Sequence, residues 1–260
     1  MAPDLADTAT TKPFSALRPI PSPPAAMARP AAARIPDHAP VSSDAGLAAA
    51  LQQIATMIRI GRDASLLEEG DAADHVFRVV RGTLRSVKVL ADGRRCITKF
   101  LQPGDFVGLS EREEYSFTVE AVSDATLLRY PRRRFQTLLR GDTRLMHTLL
   151  TLICGEMTAV QDRLLLLGRK SAAERMASFL LAMAERQGSQ PEDAAAGAIM
   201  TVHLPMCRQD IADYLGLTIE TVSRLISRLR AQRVIRLEGA QNLVLLRRDL
   251  LEEMCEIETA

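Results

Sequence analysis

At 260 residues, with 47% hydrophobic and 25% charged side chains, the chain can form one or two domains with proper cores and has an ordinary globular composition. A formal net charge of +1 excludes a molecule that holds nucleic acid by overall charge, so any such activity must come from a local patch. The longest apolar stretches, such as Leu149 to Cys154 and Leu164 to Leu167, fall far short of the ~20 residues a membrane span needs.

The N-terminus has no basic segment leading into an apolar one, so it does not read as a signal peptide. Cys96, Cys154, Cys207 and Cys255 are widely spaced and form no C-x-x-C pair, which suits a reducing cytoplasm. Residues 1 to 44 are rich in Ala and Pro and lack helical or strand periodicity. They read as a disordered tail, the alternative being an ordered arm packed on the body.

Within residues 45 to 140, from about Met57 to Tyr130, short apolar runs recur between glycines. Val76 to Val80, Leu84 to Leu90, Ile97 to Phe100 and Phe117 to Val122 read as strands, and Ala91-Asp92-Gly93 as a hairpin turn. Many short strands between glycine turns indicate a small antiparallel β-roll. A long helical segment follows, beginning at about Arg132 or Thr143 and ending at Leu167. Met146, Leu149, Ile153, Met157, Val160 and Leu164 recur at intervals of three and four, a stripe that water would not tolerate on a lone helix. A dimer seam across residues 141 to 168 accounts for it, with packing on the chain's own β-domain as the alternative. Gly155 sits inside this stripe. Ser171 caps a further helix with Glu174 completing a capping box, Ala172 to Arg186 form its body, and residues 187 to 199 read as a polar loop.

Residues 169 to 260 carry the most informative run, Arg208 to Leu225. Ile211 and Leu215 lie one helical turn apart, Ala212 is small where two helices approach, and Gly216 ends the first helix in a left-handed conformation. Thr218 then caps a second helix, and Val222 and Leu225 face back to the first. Two short helices joined by a glycine turn form a helix-turn-helix, the unit that reads DNA. On the outward face of its second helix stand Ile219, Glu220, Ser223 and Arg224. Arg224 can donate two bonds to a guanine, Glu220 can accept from a cytosine amine, and Ile219 can pack on a thymine methyl. Arg208, Thr218, Thr221 and Arg228 are placed at the DNA backbone. From 219 to 236 five arginines stand against one glutamate, a local net of +4, which supplies the missing patch. Arg236 to Asn242 reads as the tip of a hairpin between Val234 to Leu237 and Leu243 to Leu246, a β wing.

A β-roll, a long dimer helix and a C-terminal winged helix-turn-helix in that order make an α+β chain that resembles the CRP/FNR family over about residues 50 to 250. In the roll, Gly70-Asp71, Gly93-Arg94-Arg95 and Gly104-Asp105-Phe106-Val107-Gly108 look like family turns. Glu220-Thr221-Val222-Ser223-Arg224 matches the Glu-x-x-Ser-Arg pattern of the FNR branch, and Leu204-Pro205-Met206-Cys207-Arg208 looks most like the FixK subgroup. The resemblance implies a homodimeric activator that contacts RNA polymerase and reads a palindrome similar to TTGAT-N4-ATCAA through Glu220, Ser223 and Arg224. Two departures bear on cofactors. No cysteine precedes Cys96, which argues against an iron–sulfur cluster. Leu109 follows Gly108 where cyclic-AMP binders carry Glu, and Tyr115-Ser116 falls where they carry Arg-Ser/Thr, so an anionic phosphate would be buried unpaired. No cofactor is therefore expected. The alternative is an effector-gated regulator with haem or another small ligand in the roll, near His75 or His147. A metalloenzyme of the cupin type is set aside, because this roll region supplies one histidine.

Cys207 stands at the start of the first helix of the DNA-reading unit, beside Arg208. A helix N-terminus and a cation both favour thiolate, and oxidation to a sulfinate would place negative charge near DNA phosphates. The competing reading is a small buried residue packed under the helix.

Overall fold

The computed structural model describes residues 45–110, 112–187 and 200–256. The expected N-terminal tail and nearly all of the loop expected after Arg186 lie outside them. The elements run α1 (Ala45–Gln52), β1 (Thr56–Ile60), β2 (Ser65–Leu67), β3 (His75–Arg81), β4 (Leu84–Val89), β5 (Arg95–Leu101), β6 (Phe106–Val107), β7 (Thr118–Ala121) and β8 (Ala125–Pro131). There follow α2 (Arg132–Gly141), α3 (Thr143–Arg169), α4 (Ala172–Arg186), β9 (Met200–His203), α5 (Arg208–Leu215), α6 (Ile219–Ala231), β10 (Ile235–Glu238), β11 (Asn242–Leu245) and α7 (Arg248–Glu256).

Strands β1 to β8 form two antiparallel four-stranded sheets, in the orders β1-β8-β3-β6 and β2-β7-β4-β5. Their inward residues, among them Phe77, Val79, Leu84, Leu101, Val119 and Leu127, form the interior of the roll. Alternation of buried and half-buried positions along β3, β4 and β8 is what a pleated strand with one face on a core requires. Gly82 makes the β3–β4 turn possible: its φ is +89°, and a Cβ there would stand 2.4 Å from the Asp124 carbonyl oxygen. The β4–β5 hairpin turns through Asp92 and Gly93, as the sequence suggested, with Leu90 and Arg94 bonded across it.

The helical segment is two helices, not one. Asp142 breaks it, leaving helical geometry and accepting from the amides of Arg144 and Leu145 to cap α3. Both starting points considered from sequence, Arg132 and Thr143, are thus real helix starts. Leu51, Val76, Tyr130, Phe135, Leu139, Leu145 and Leu149 pack α1, α2 and the start of α3 on the outer face of the first sheet. Beyond this, α3 runs on past Gly155 to Arg169 without a break. Ser171 and Glu174 form the reciprocal capping box of α4, which carries nine buried residues from Met176 to Ala184.

The C-terminal unit is helix-turn-helix plus wing. β10 and β11 form the hairpin, and β9 adds a third strand that the sequence reading missed. Its core also takes in Val87, Ile97, Phe100 and Val122 of the roll, so the two domains share apolar contacts. No helix among the described residues is long and apolar enough to cross a membrane.

Candidate nucleic-acid interface

Every local feature that shapes the reading unit is traceable to a side chain. Cys207 is the N-cap of α5: its sulfur accepts from the Asp210 amide at 3.4 Å, and the Asp210 carboxylate accepts from the Cys207 amide at 3.3 Å. The cysteine is exposed, which removes the reading in which it packs beneath the helix. Gly216 follows α5 with φ 63° and ψ 40°, a left-handed cap that turns the chain by a route costly to other residues. Thr218 then caps α6 through its hydroxyl oxygen, which accepts from the Thr221 amide at 3.2 Å.

Ile211, Ala212 and Leu215 on α5 and Val222, Ile226 and Leu229 on α6 are buried together. This fixes the rotation of α6 and leaves Glu220, Arg224 and Arg228 exposed on its far side. Ile219 is 38% exposed at the first position of the helix, and Ser223 is half-buried. Arg208 donates to the Ser223 hydroxyl at 3.3 Å, which draws a candidate backbone residue and a candidate base reader together across the two helices. Backbone amide donation at the helix start and the Thr218 hydroxyl hold the Glu220 carboxyl below the usual carboxylate range, with Arg224 adding to the effect. Glu220 is therefore an acceptor only, the state a cytosine amine needs. In the wing, Arg236 is paired with Glu238, and His203 meets Asn242 at 2.9 Å.

The apolar row on α3 differs from the sequence reading at one position. Met146, Ile153, Met157, Val160 and Leu164 are exposed, between 43% and 66%. Leu149 is buried against Tyr130 and Phe135 of its own chain, so it cannot face a partner. Leu150 takes its place at 56% exposure. The corrected row, 146-150-153-157-160-164, alternates steps of four and three, the strict spacing of a two-helix seam. The substitution escapes sequence reading because 149 and 150 are both leucine and lie 100° apart on the helix.

A cavity of about 860 Å³ lies between the roll interior and α3, with Leu101, Val107, Leu109, Tyr115, His147 and Arg163 on its walls. Its cations are engaged. Lys99 pairs with Glu156 and Asp105, and Arg163 donates to the backbone oxygens of Ile97 and Tyr214. At the 108–112 turn, Arg132 holds the carbonyl oxygens of Gly108, Ser110 and Arg112, and the Tyr115 hydroxyl donates to the His75 carbonyl at 2.8 Å. Among the described residues of that turn, Arg112 is exposed and Arg132 is not free for a phosphate, since backbone oxygens hold both its terminal nitrogens. Nor, among the described residues, do three or more His, Cys, Asp or Glu side chains gather in a way that could hold a metal ion.

Comparison with known proteins agrees with this architecture. Residues 57–142 match the model of the cyclic nucleotide-binding domain, and residues 174–254 match that of the Crp-like helix-turn-helix domain. The chain is 40% identical over 193 residues to the nitrogen fixation regulation protein FixK of Azorhizobium caulinodans, covering 74% of this chain and 76% of that one. It is 37% identical over 184 residues to the transcriptional activatory protein AadR of Rhodopseudomonas palustris, covering 71% and 75%. Among solved structures, FixK2 from Bradyrhizobium japonicum superposes with a TM-score of 0.70 at 38% identity, over 77% of this chain and 97% of that chain. An antiparallel roll, a long helix and a winged helix-turn-helix built on a FixK-like sequence place the chain in the CRP/FNR family of transcription regulators, on its FixK-like branch.

Proposed function

We propose that the protein is a homodimeric transcription activator that binds a TTGAT-N4-ATCAA-like palindrome in its ligand-free state and contacts RNA polymerase. The observation that carries this reading is the exposed face of α6, where Glu220 and Arg224 stand beside Ser223 on a helix whose opposite face is locked into the core. Glu220, Ser223, Arg224 and Ile219 read base edges. Arg208, Thr218, Thr221 and Arg228 meet the backbone, their cationic members lowering the cost of approaching the phosphates. The exposed row Met146, Leu150, Ile153, Met157, Val160 and Leu164 pairs with a second copy. That pairing supplies the two-fold axis a palindrome demands. The activator role is supported by the relatives whose names describe activation.

Purified protein with no added ligand, titrated in air against a labelled TTGAT-N4-ATCAA duplex and a scrambled duplex, tests the proposal. Binding to the palindrome about a thousandfold tighter than to the scramble is expected. Equal affinity for the two sequences defeats the proposal. A second reading is favoured by the cavity of about 860 Å³, large enough for a small apolar effector. Under it the ligand-free protein fails on the palindrome, so the same titration separates the two.

Cys207 adds a redox control to this reading. It is exposed and caps the helix that supports α6, so a sulfinate there would set negative charge against both the Asp210 carboxylate and incoming phosphate. Peroxide treatment should weaken palindrome binding of the wild-type chain about tenfold or more and spare Cys207→Ser. Loss of the same size in both proteins disposes of the control.

A further inference from the structure

Helix α5 is held by side chains that come from outside its own domain. Asp210, in its first turn, is 1% exposed, although a carboxylate is among the costliest groups to bury. Arg85 of β4 reaches both its oxygens, at 3.1 and 3.3 Å, and Arg95 of β5 reaches Oδ1 at 2.5 Å. Arg95 also donates through Nε to Asp213, one turn further along, at 2.9 Å. Glu120 of β7 accepts from Arg85 Nε at 2.7 Å and fixes that guanidinium from behind.

Burial works against the Arg85 charge, but the bond to Glu120 and the field of Asp210 outweigh it and hold the group above the ordinary arginine value. Arg95 behaves in the same way, with Asp213 and Asp210 offsetting its burial. From the other side, Arg163 of α3 donates to Tyr214 O at 2.6 Å and lies 3.8 Å from the Tyr214 ring centroid. Helix α5 is thus gripped from β4, β5 and α3, and α6 follows it because the two helices share a core.

We propose that Arg85 and Arg95 are positioning residues for DNA reading: by holding Asp210 and Asp213 they set the angle and separation at which each subunit presents α6. The clamp is made entirely of this chain's own side chains, which lets the reading heads stand in register without an effector. An arginine fork is the fitting choice, since each guanidinium must serve two carboxylates at once. This inference rests on the reading above, in which a dimer sets two α6 helices into successive major grooves.

The test uses the full chain and palindromes whose central spacer is four or six base pairs. Two added base pairs turn one half-site by about 70° against the other, so a rigid dimer should bind the longer site about a hundredfold less well. In Arg85→Gln/Arg95→Gln that discrimination is expected to fall to about threefold, with Arg85→Lys/Arg95→Lys in between, because charge remains but the fork is lost. Hydrogen exchange in the absence of DNA gives a second reading. The amides of Arg208–Leu215 should exchange about tenfold faster in the glutamine variant, while those of β3 and β8 are unchanged. Undiminished spacer discrimination together with unchanged α5 exchange overturns the clamp, whatever the melting temperature does. If the wild-type chain ignores spacer length, the paired-groove reading fails instead, and α5 exchange alone decides the clamp.

Discussion

Arg224→Ala is expected to lower affinity for the palindrome by about 30-fold to 10⁴-fold while leaving the scrambled duplex within about threefold of wild type. The range follows from one guanine contact in each half-site, each bidentate pair contributing about 1–3 kcal/mol of discrimination. Arg224 is exposed and has no role in the helix core, so its removal should not disturb the fold. Fluorescence anisotropy at several salt concentrations makes the distinction. A base contact changes specific affinity more than the salt slope, whereas a phosphate contact weakens all sequences alike and lowers the slope by about one per site. Equal loss on both duplexes would reassign Arg224 to the backbone.

The reading helix was legible because its constraints are local. Gly216 and Thr218 speak for themselves, and the apolar positions around them have fixed spacing, so the end of α5 and the start of α6 could be placed from sequence. The same holds for Ser171 and Glu174, whose capping box is a matter of three residues. What the sequence could not yield depends on long-range pairing. β1, β2, β6 and β9 are short strands of two to five residues, stabilised by partners such as β8, β7, β3 and β11 that lie 28 residues or more away along the chain. Nothing local in the sequence links Arg85 and Arg95 to Asp210. Only the fold brings a strand pair and a helix separated by more than 100 residues into one network.

Ile153→Glu should convert the dimer to monomers that no longer hold the palindrome. Six large apolar side chains, Met146 to Leu164, stand in water unless a second copy covers them, and burying each contributes about 1.5–3 kcal/mol. Ile153 lies at the middle of this row, so a two-fold seam would bring both introduced carboxylates close together in an apolar contact. Desolvation and like-charge repulsion act there in the same direction. Sedimentation velocity is expected to show the mutant at the monomer mass at concentrations where wild type is wholly dimeric. Affinity for the palindrome should fall toward that for a single half-site, because the second head no longer benefits from the high effective concentration that linkage provides. Thr158→Glu puts the same charge on an exposed flank of the same helix, away from the row, and should leave both measurements unchanged. A dimer that survives Ile153→Glu, or one that Thr158→Glu disrupts equally, would mean that the copies meet through some other surface.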